Sequence, residues 1–207
     1  MIPFPASRSA VSTLEFALLA PILLVLALAM SDVITWIRND FKLEQVAAQM
    51  GQIISSCKAL DDPGDFRRFA SEAQLMAGSL DITSTTGVGA FIVSGVTPSG
   101  TTETIRWQYF FGNPIYHSIL CDTSSACSTD AIATIPGNYM VPKNQVLIAT
   151  ESVASVGSWV LSAKILNLTS SSVQRAYSLF LVRTANPIKL ATVSKNPSNS
   201  TVEGCGS

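Results

Sequence analysis

The chain is poor in charge. Of its 207 residues, 13 are Lys or Arg and 14 are Asp or Glu, 13% in all. A typical soluble domain carries about 25%. The formal net charge is -1, so the basic surplus of a nucleic-acid-binding surface is missing and no nucleic-acid partner is expected. Histidine is nearly absent. His117 is the only one, which excludes any site built on two histidines, H-E-x-x-H included. No C-x-x-C pair and no G-x-x-x-x-G-K-[ST] loop occurs. Gly87 and Gly89 fall short of a G-x-G-x-x-G fingerprint, which also needs a strand before it and a helix after it. Serines are plentiful, but no G-x-S-x-G elbow accompanies His117, so hydrolase chemistry is not expected. These absences weaken most enzyme readings, and no cofactor, no metal and no enzymatic activity are expected.

Apolar residues, at 47% of the chain, are plentiful and unevenly placed. Phe16 to Met30 contains no polar side chain. Arg8 and Glu15 precede this run, and Ser31, Asp32 and then Arg38 follow it. The uncharged window is slightly short of the roughly 20 residues that cross a bilayer. Arg8 on the N-terminal side favours a cytoplasmic N-terminus with the remaining chain outside. Three readings compete. One is a cleaved secretory signal, with Ala27-Leu28-Ala29 as its A-x-A site. The second is a plain signal anchor. The third is a prepilin-type signal, cut on the cytoplasmic side so that the apolar helix stays on the mature protein.

Glu15 discriminates between them. A carboxylate directly against the apolar run is costly near lipid and foreign to the positive n-region of an ordinary signal. Cleavage between Ala10 and Val11 would make Glu15 the fifth mature residue and Phe16 the sixth. A buried carboxylate needs a partner, and a new N-terminal ammonium, its own or a neighbouring subunit's, is the obvious one. The stretch from Ser9 to Pro21, with Glu15-Phe16-Ala17 and then Pro21, resembles the N-terminus of TadE/TadF-type minor pilins of the tight adherence (Tad, Flp or type IVc) pilus. Ala10 stands where that family usually has Gly. The resemblance covers about residues 8 to 30. It implies a structural pilin or pseudopilin, trimmed by a prepilin peptidase. Implied partners are other Tad pilins and minor pilins, the inner-membrane assembly platform and the lipid bilayer. Implied location is the bacterial inner membrane, N-terminus in the cytoplasm and head in the periplasm, with incorporation into a surface pilus. Pro21 cannot donate to the Ala17 carbonyl, so a kink or a loosened turn is expected there.

Beyond Asp32 the helix is expected to continue. Leu43, Val46, Met50, Ile53 and Cys57 recur at steps of three and four, the mark of an amphipathic helix. Asp62 reads as an N-cap and Pro63 as the first residue of a second helix carrying Phe66, Phe69, Ala73, Met76 and Leu80, with Gly78 as its stop. Ala90 to Val96 and Glu103 to Phe111 read as a hairpin turning at Pro98-Ser99-Gly100. Residues 113–138 read as loop. Residues 145–152 and 176–183 are further strand candidates, 159–168 fit a strand or a short helix, and 195–207 read as a loose tail. Trp107, Tyr109, Phe110, Phe111 and Tyr116 form one aromatic group, read as core.

Cys57, Cys121, Cys127 and Cys205 allow three disulfide pairings. Outside the cytoplasm disulfides are permitted, and Cys121–Cys127 with Cys57–Cys205 is the favoured set. The expected architecture is α+β: a long pilin-like N-terminal helix, membrane-spanning in its first half, packed on a small antiparallel β-rich head. Residues 1–10 are a leader, 11–32 the transmembrane and assembly helix, 33–60 its amphipathic continuation, and 61–207 the head with its polar tail. The rival expectation, from a different class, is a secreted or anchored binding domain behind an ordinary signal peptide.

Overall fold

The computed structural model describes residues 8–57, 60, 64–121, 126–158, 170–182 and 205. The expectations for residues 1–7, for the Asp62-Pro63 helix start, for 159–168 and for the tail other than Cys205 lie outside the described residues. The element order is α1 (Arg8–Ser56), α2 (Gly64–Ala77), β1 (Gly89–Ser99), β2 (Thr102–Gly112), β3 (Leu147–Ser158) and β4 (Ser170–Leu181). The chain forms two compact units, Met1–Arg38 with Gly157–Ser172, and Asn39–Val156 with Val173–Ser207.

The second unit is built on an antiparallel sheet of order β2-β1-β3-β4. One face of the sheet carries the outer half of α1 and all of α2. Leu43, Val46, Ala47, Met50 and Ile54 of α1 and Phe66, Phe69, Ala70 and Ala73 of α2 pack with Phe91, Val93, Trp107, Ile148 and Ala154 of the strands. Alternation along β1 and β3 sends their other residues to the opposite face. There Val96, Leu147 and Ala149 meet Leu120, Cys127, Ala133, Ile135 and Val141 from the segment between β2 and β3. Ala90, Ile92 and Val153 meet Tyr116 on the same side. The head is therefore a sheet with helices on one face and a long, mostly irregular connection on the other.

Two sequence expectations are corrected by this packing. The buried stripe of α1 passes through Ile54, whereas Ile53 is 39% exposed. Steps of four from Val46 through Met50 to Ile54 keep the stripe over the sheet, and Ile53 turns about 100° away. The aromatic group is also two groups. Trp107, Tyr109 and Phe111 face the helices, and Phe66 stacks on Tyr109 with ring centroids 3.6 Å apart. Phe110 and Tyr116 pack on the opposite face. A period of two divides any such run between faces.

The predicted hairpin is present and longer than expected. Ser99 pairs with Thr102, so the turn is Gly100-Thr101 and Pro98 belongs to β1. A register shift follows: Gly95 opposes Trp107 while Val96 opposes Ile105. Arg106 is the extra residue of a bulge, and this reverses the face of Ile105 relative to Trp107. β3 and β4 also outrun their expected limits, β3 ending at Ser158 and β4 starting at Ser170.

Helix α2 stops where Gly78 adopts φ +65°, its N–H bonding the Gln74 carbonyl at 3.1 Å. The Gln74 side chain then holds the exit turn, donating to the Leu80 carbonyl and accepting from the Ile82 N–H, both at 2.9 Å. Edge strand β2 is partly covered: the Ala131 and Glu103 carbonyls accept from Ile105 and Ala133, at 2.9 and 2.8 Å. That covering leaves less unpaired edge for another strand to join.

Candidate functional site

Every residue expected to act in processing and assembly lies on the inner half of α1. The backbone is helical from Arg8 onward, so Ala10 and Val11 are successive helical residues. Glu15 follows one turn later, exposed, and Phe16 is 69% exposed. Pro21 sits inside the helix, which runs through it unbroken. The Ala17 carbonyl is the one that loses its helical donor there.

Between Phe16 and Asp32 the large exposed apolar side chains are Leu18, Leu19, Ile22, Leu23, Leu24, Val25, Leu26 and Met30. At 100° per residue these positions cover the whole circumference, so the helix is apolar all round. This differs from the outer half, which buries a single stripe. Helix α1 is the one described helix long and apolar enough to cross a membrane, and little of its apolar window is buried. An all-round apolar surface with its backbone bonds closed within the helix is suited to lipid or to other helices.

The outer half of α1 is fixed to the sheet by polar contacts as well as by apolar ones. Thr150 and Ser178 donate to the Ala47 carbonyl at 2.7 and 2.6 Å, and Ser152 donates to the Leu43 carbonyl at 2.7 Å. These helix carbonyls have a second lone pair free for such bonds. A small residue at Gly51 lets the helix approach: a Cβ there would lie 2.7 Å from Phe180 Cδ2, Ser178 Oγ and Thr150 Oγ1.

Both disulfides join the favoured pairs. Cys57, just past the end of α1, is bonded to Cys205, and Cys121 to Cys127, with Cα separations of 4.8 and 5.8 Å. The first ties a residue near the C-terminus to the outer end of α1. The second joins two residues that pack on the far face of the sheet.

One polar cluster is not foreseen by the sequence. Glu151 on β3 is fully buried. Its Oε1 accepts from Ser118 Oγ at 2.5 Å, and its Oε2 from the Ile119 N–H at 2.9 Å and Arg175 Nη1 at 3.0 Å. Burial pushes this carboxyl above the ordinary carboxylate range, opposed by the bonds from Ser118 and Ile119 and by the Arg175 charge. The cluster pins the segment after β2 to the sheet. The only local signal is that Glu151 interrupts an otherwise uncharged strand. His117, next to Ser118 in sequence, is exposed. Among the described residues no group of three or more His, Cys, Asp or Glu converges as a metal site would.

No protein-family model, curated protein or solved structure matches this chain.

Proposed function

We propose that the protein is a structural minor pilin or pseudopilin of the TadE/TadF type. A prepilin peptidase cuts between Ala10 and Val11, and the mature chain inserts by its apolar helix among other pilin helices of a Tad-type adhesive pilus. The head then lies on the periplasmic or outer side of the bacterial inner membrane, or on the pilus surface. The observation that carries this reading is one helix with two unlike halves. Its Phe16–Met30 stretch is largely exposed and apolar all round, and its outer half is cemented to a sheet by a buried stripe and three hydroxyl-to-carbonyl bonds.

The physical logic follows from that division. The head holds the outer half rigid, and the inner half is left for lipid before assembly and for neighbouring helices after it. Glu15 at the inner edge is the group that sets register. Its charge is unfavourable among apolar side chains unless a cation meets it, and the ammonium created at Val11 by cleavage is that cation. A carboxylate that tolerates one partner position only makes neighbouring helices stop at a defined offset. Disulfides between the end of α1, the loops and Cys205 suit a head exposed to an oxidising compartment.

The test is the mature N-terminus, read by intact mass and N-terminal sequencing of protein from membranes with and without the prepilin peptidase. A start at Val11 that depends on the peptidase supports the proposal. A start at Met30, indifferent to the peptidase, overturns it and makes the head a secreted binding domain.

A further inference from the structure

We infer that the outer membrane boundary of α1 lies at Trp36 and Arg38, beyond Asp32, and that Trp36 together with Ser172 forms an anchor seated in the headgroup layer of a phospholipid bilayer. This rests on the reading that residues 16–30 cross a membrane.

Counted by charge alone, the span ends at Ser31. From Phe16 to Ser31 a helix rises roughly 24 Å, short of the roughly 30 Å hydrocarbon core. Ending at Ile37 instead, it rises roughly 33 Å, which matches that core. The sequence places one charge in the way, Asp32.

The structure removes that obstacle. Asp32 is 6% exposed, while Val33, Ile34 and Ile37 around it are 40 to 50% exposed. Asp32 is also engaged with a partner. The outward surface of this turn is thus apolar, and its carboxylate faces protein, as ionisable groups within a span do. Thr35 adds no free polar group, because its hydroxyl donates to the Ser31 carbonyl at 2.9 Å. That back-bond is how a hydroxyl is carried in lipid.

Trp36 marks the boundary itself. It is 41% exposed, and its indole Nε1–H donates to Ser172 Oγ at 3.2 Å. The polar edge of the ring is therefore satisfied, and about two fifths of the residue stays exposed. An amphipathic indole in that state belongs at the junction of hydrocarbon and headgroups. Arg38, two residues on and exposed, supplies a cation for lipid phosphate with an apolar stem for the layer beneath. The first residues of β4 are drawn to the same level by the bond to Ser172.

The experiment uses the full chain in vesicles of phosphatidylethanolamine and phosphatidylglycerol containing lipids brominated either near the ester groups or deep in the acyl chains. The signal of Trp36 is the difference in fluorescence between the wild type and Trp36→Phe. A second reporter, Leu24→Trp in the Trp36→Phe background, samples the middle of the span. The expected result is that Trp36 is quenched roughly twofold more by shallow than by deep bromines, and the position-24 reporter in the opposite order. If the position-24 reporter is quenched and Trp36 is not, the boundary lies before Trp36 and the inference falls, leaving that surface to another protein helix. If Trp36 is quenched more by deep bromines, the boundary lies farther out and the inference falls as well. If neither is quenched, the membrane reading itself falls and takes the inference with it.

Discussion

Thr150 Oγ1 on β3 donates to the main-chain carbonyl of Ala47 on α1 at 2.7 Å, across 103 residues of chain. Ser178 on β4 reaches the same carbonyl at 2.6 Å. Two strands thus hold one helical turn, and Gly51, one turn on, leaves the space in which they do so. Helix and sheet meet here at backbone distance rather than through large side chains.

Filling that space should loosen the joint. Gly51→Leu is expected to destabilise the detergent-solubilised chain by about 1–3 kcal/mol through overpacking. Gly51→Ala should cost less, because its gain in helix propensity, up to about 1 kcal/mol, offsets part of the clash. The exposed neighbour Gln49→Leu is the control and should stay within about 0.5 kcal/mol. Denaturant unfolding followed by near-ultraviolet circular dichroism measures all three. Equal stability of Gly51→Leu and Gln49→Leu would show that the close approach is not needed.

The Glu151–Arg175 pair should respond to pH in a defined direction. Burial raises the Glu151 carboxyl in the folded protein, so between the unfolded and folded values the native state binds more protons. Its contribution to stability is therefore fully present below the unfolded value and is lost as pH rises through the folded one. Glu151→Gln should flatten this part of the stability profile. Arg175→Met leaves a buried carboxylate without its counter-ion and should cost about 3 kcal/mol at neutral pH. That cost should shrink on acidification, because a protonated Glu151 no longer needs the cation. A cost for Arg175→Met that stays constant with pH would refute the coupling.

The two disulfides should differ in weight. Cys57 and Cys205 are 148 residues apart, and Cys121 and Cys127 are 6 apart. In the chain-entropy model the longer closure restricts the unfolded state by about 5 kcal/mol and the shorter by about half that. Replacing Cys57 and Cys205 by Ser should therefore lower the thermal midpoint more than the same exchange at Cys121 and Cys127. Non-reducing peptide mapping should recover both pairs from the native chain.

At the inner end of α1, Glu15→Ala should leave membrane insertion intact and stop productive assembly. Removing a carboxylate beside an apolar run makes insertion easier. On the proposed function, its loss also takes away the charge that would meet a neighbour's ammonium. Membrane fractionation and pilus counts by electron microscopy separate the two effects. Normal piliation with Glu15→Ala would remove Glu15 from assembly.

Much of the helical layer is legible in the residues. Leu43, Val46 and Met50 announce a buried stripe by their spacing, and Gly78 announces the end of α2. The stripe's next member is Ile54 where spacing alone points to Ile53, because steps of three and four are both helical and only the sheet surface selects between them. The β1–β2 hairpin is readable from alternation and turn residues. The bulge at Arg106 is not, since an inserted residue carries no signature of its own. Glu151 is hidden for a related reason: its partner Arg175 lies on the adjacent strand, 24 residues away.

What the sequence determined by itself was the apolar run, its bounding carboxylate Glu15, the helical and strand periods, and a set of cysteines able to pair. These depend on local composition and on residues within a turn or two of each other. What only the tertiary structure decided was which side of each element is buried: Asp32 inward while its neighbours face out, Ile54 in place of Ile53, and Glu151 satisfied by a loop and a neighbouring strand. Burial belongs to surfaces brought together from distant parts of the chain. The free energy that selects one face over another exists only once those surfaces meet.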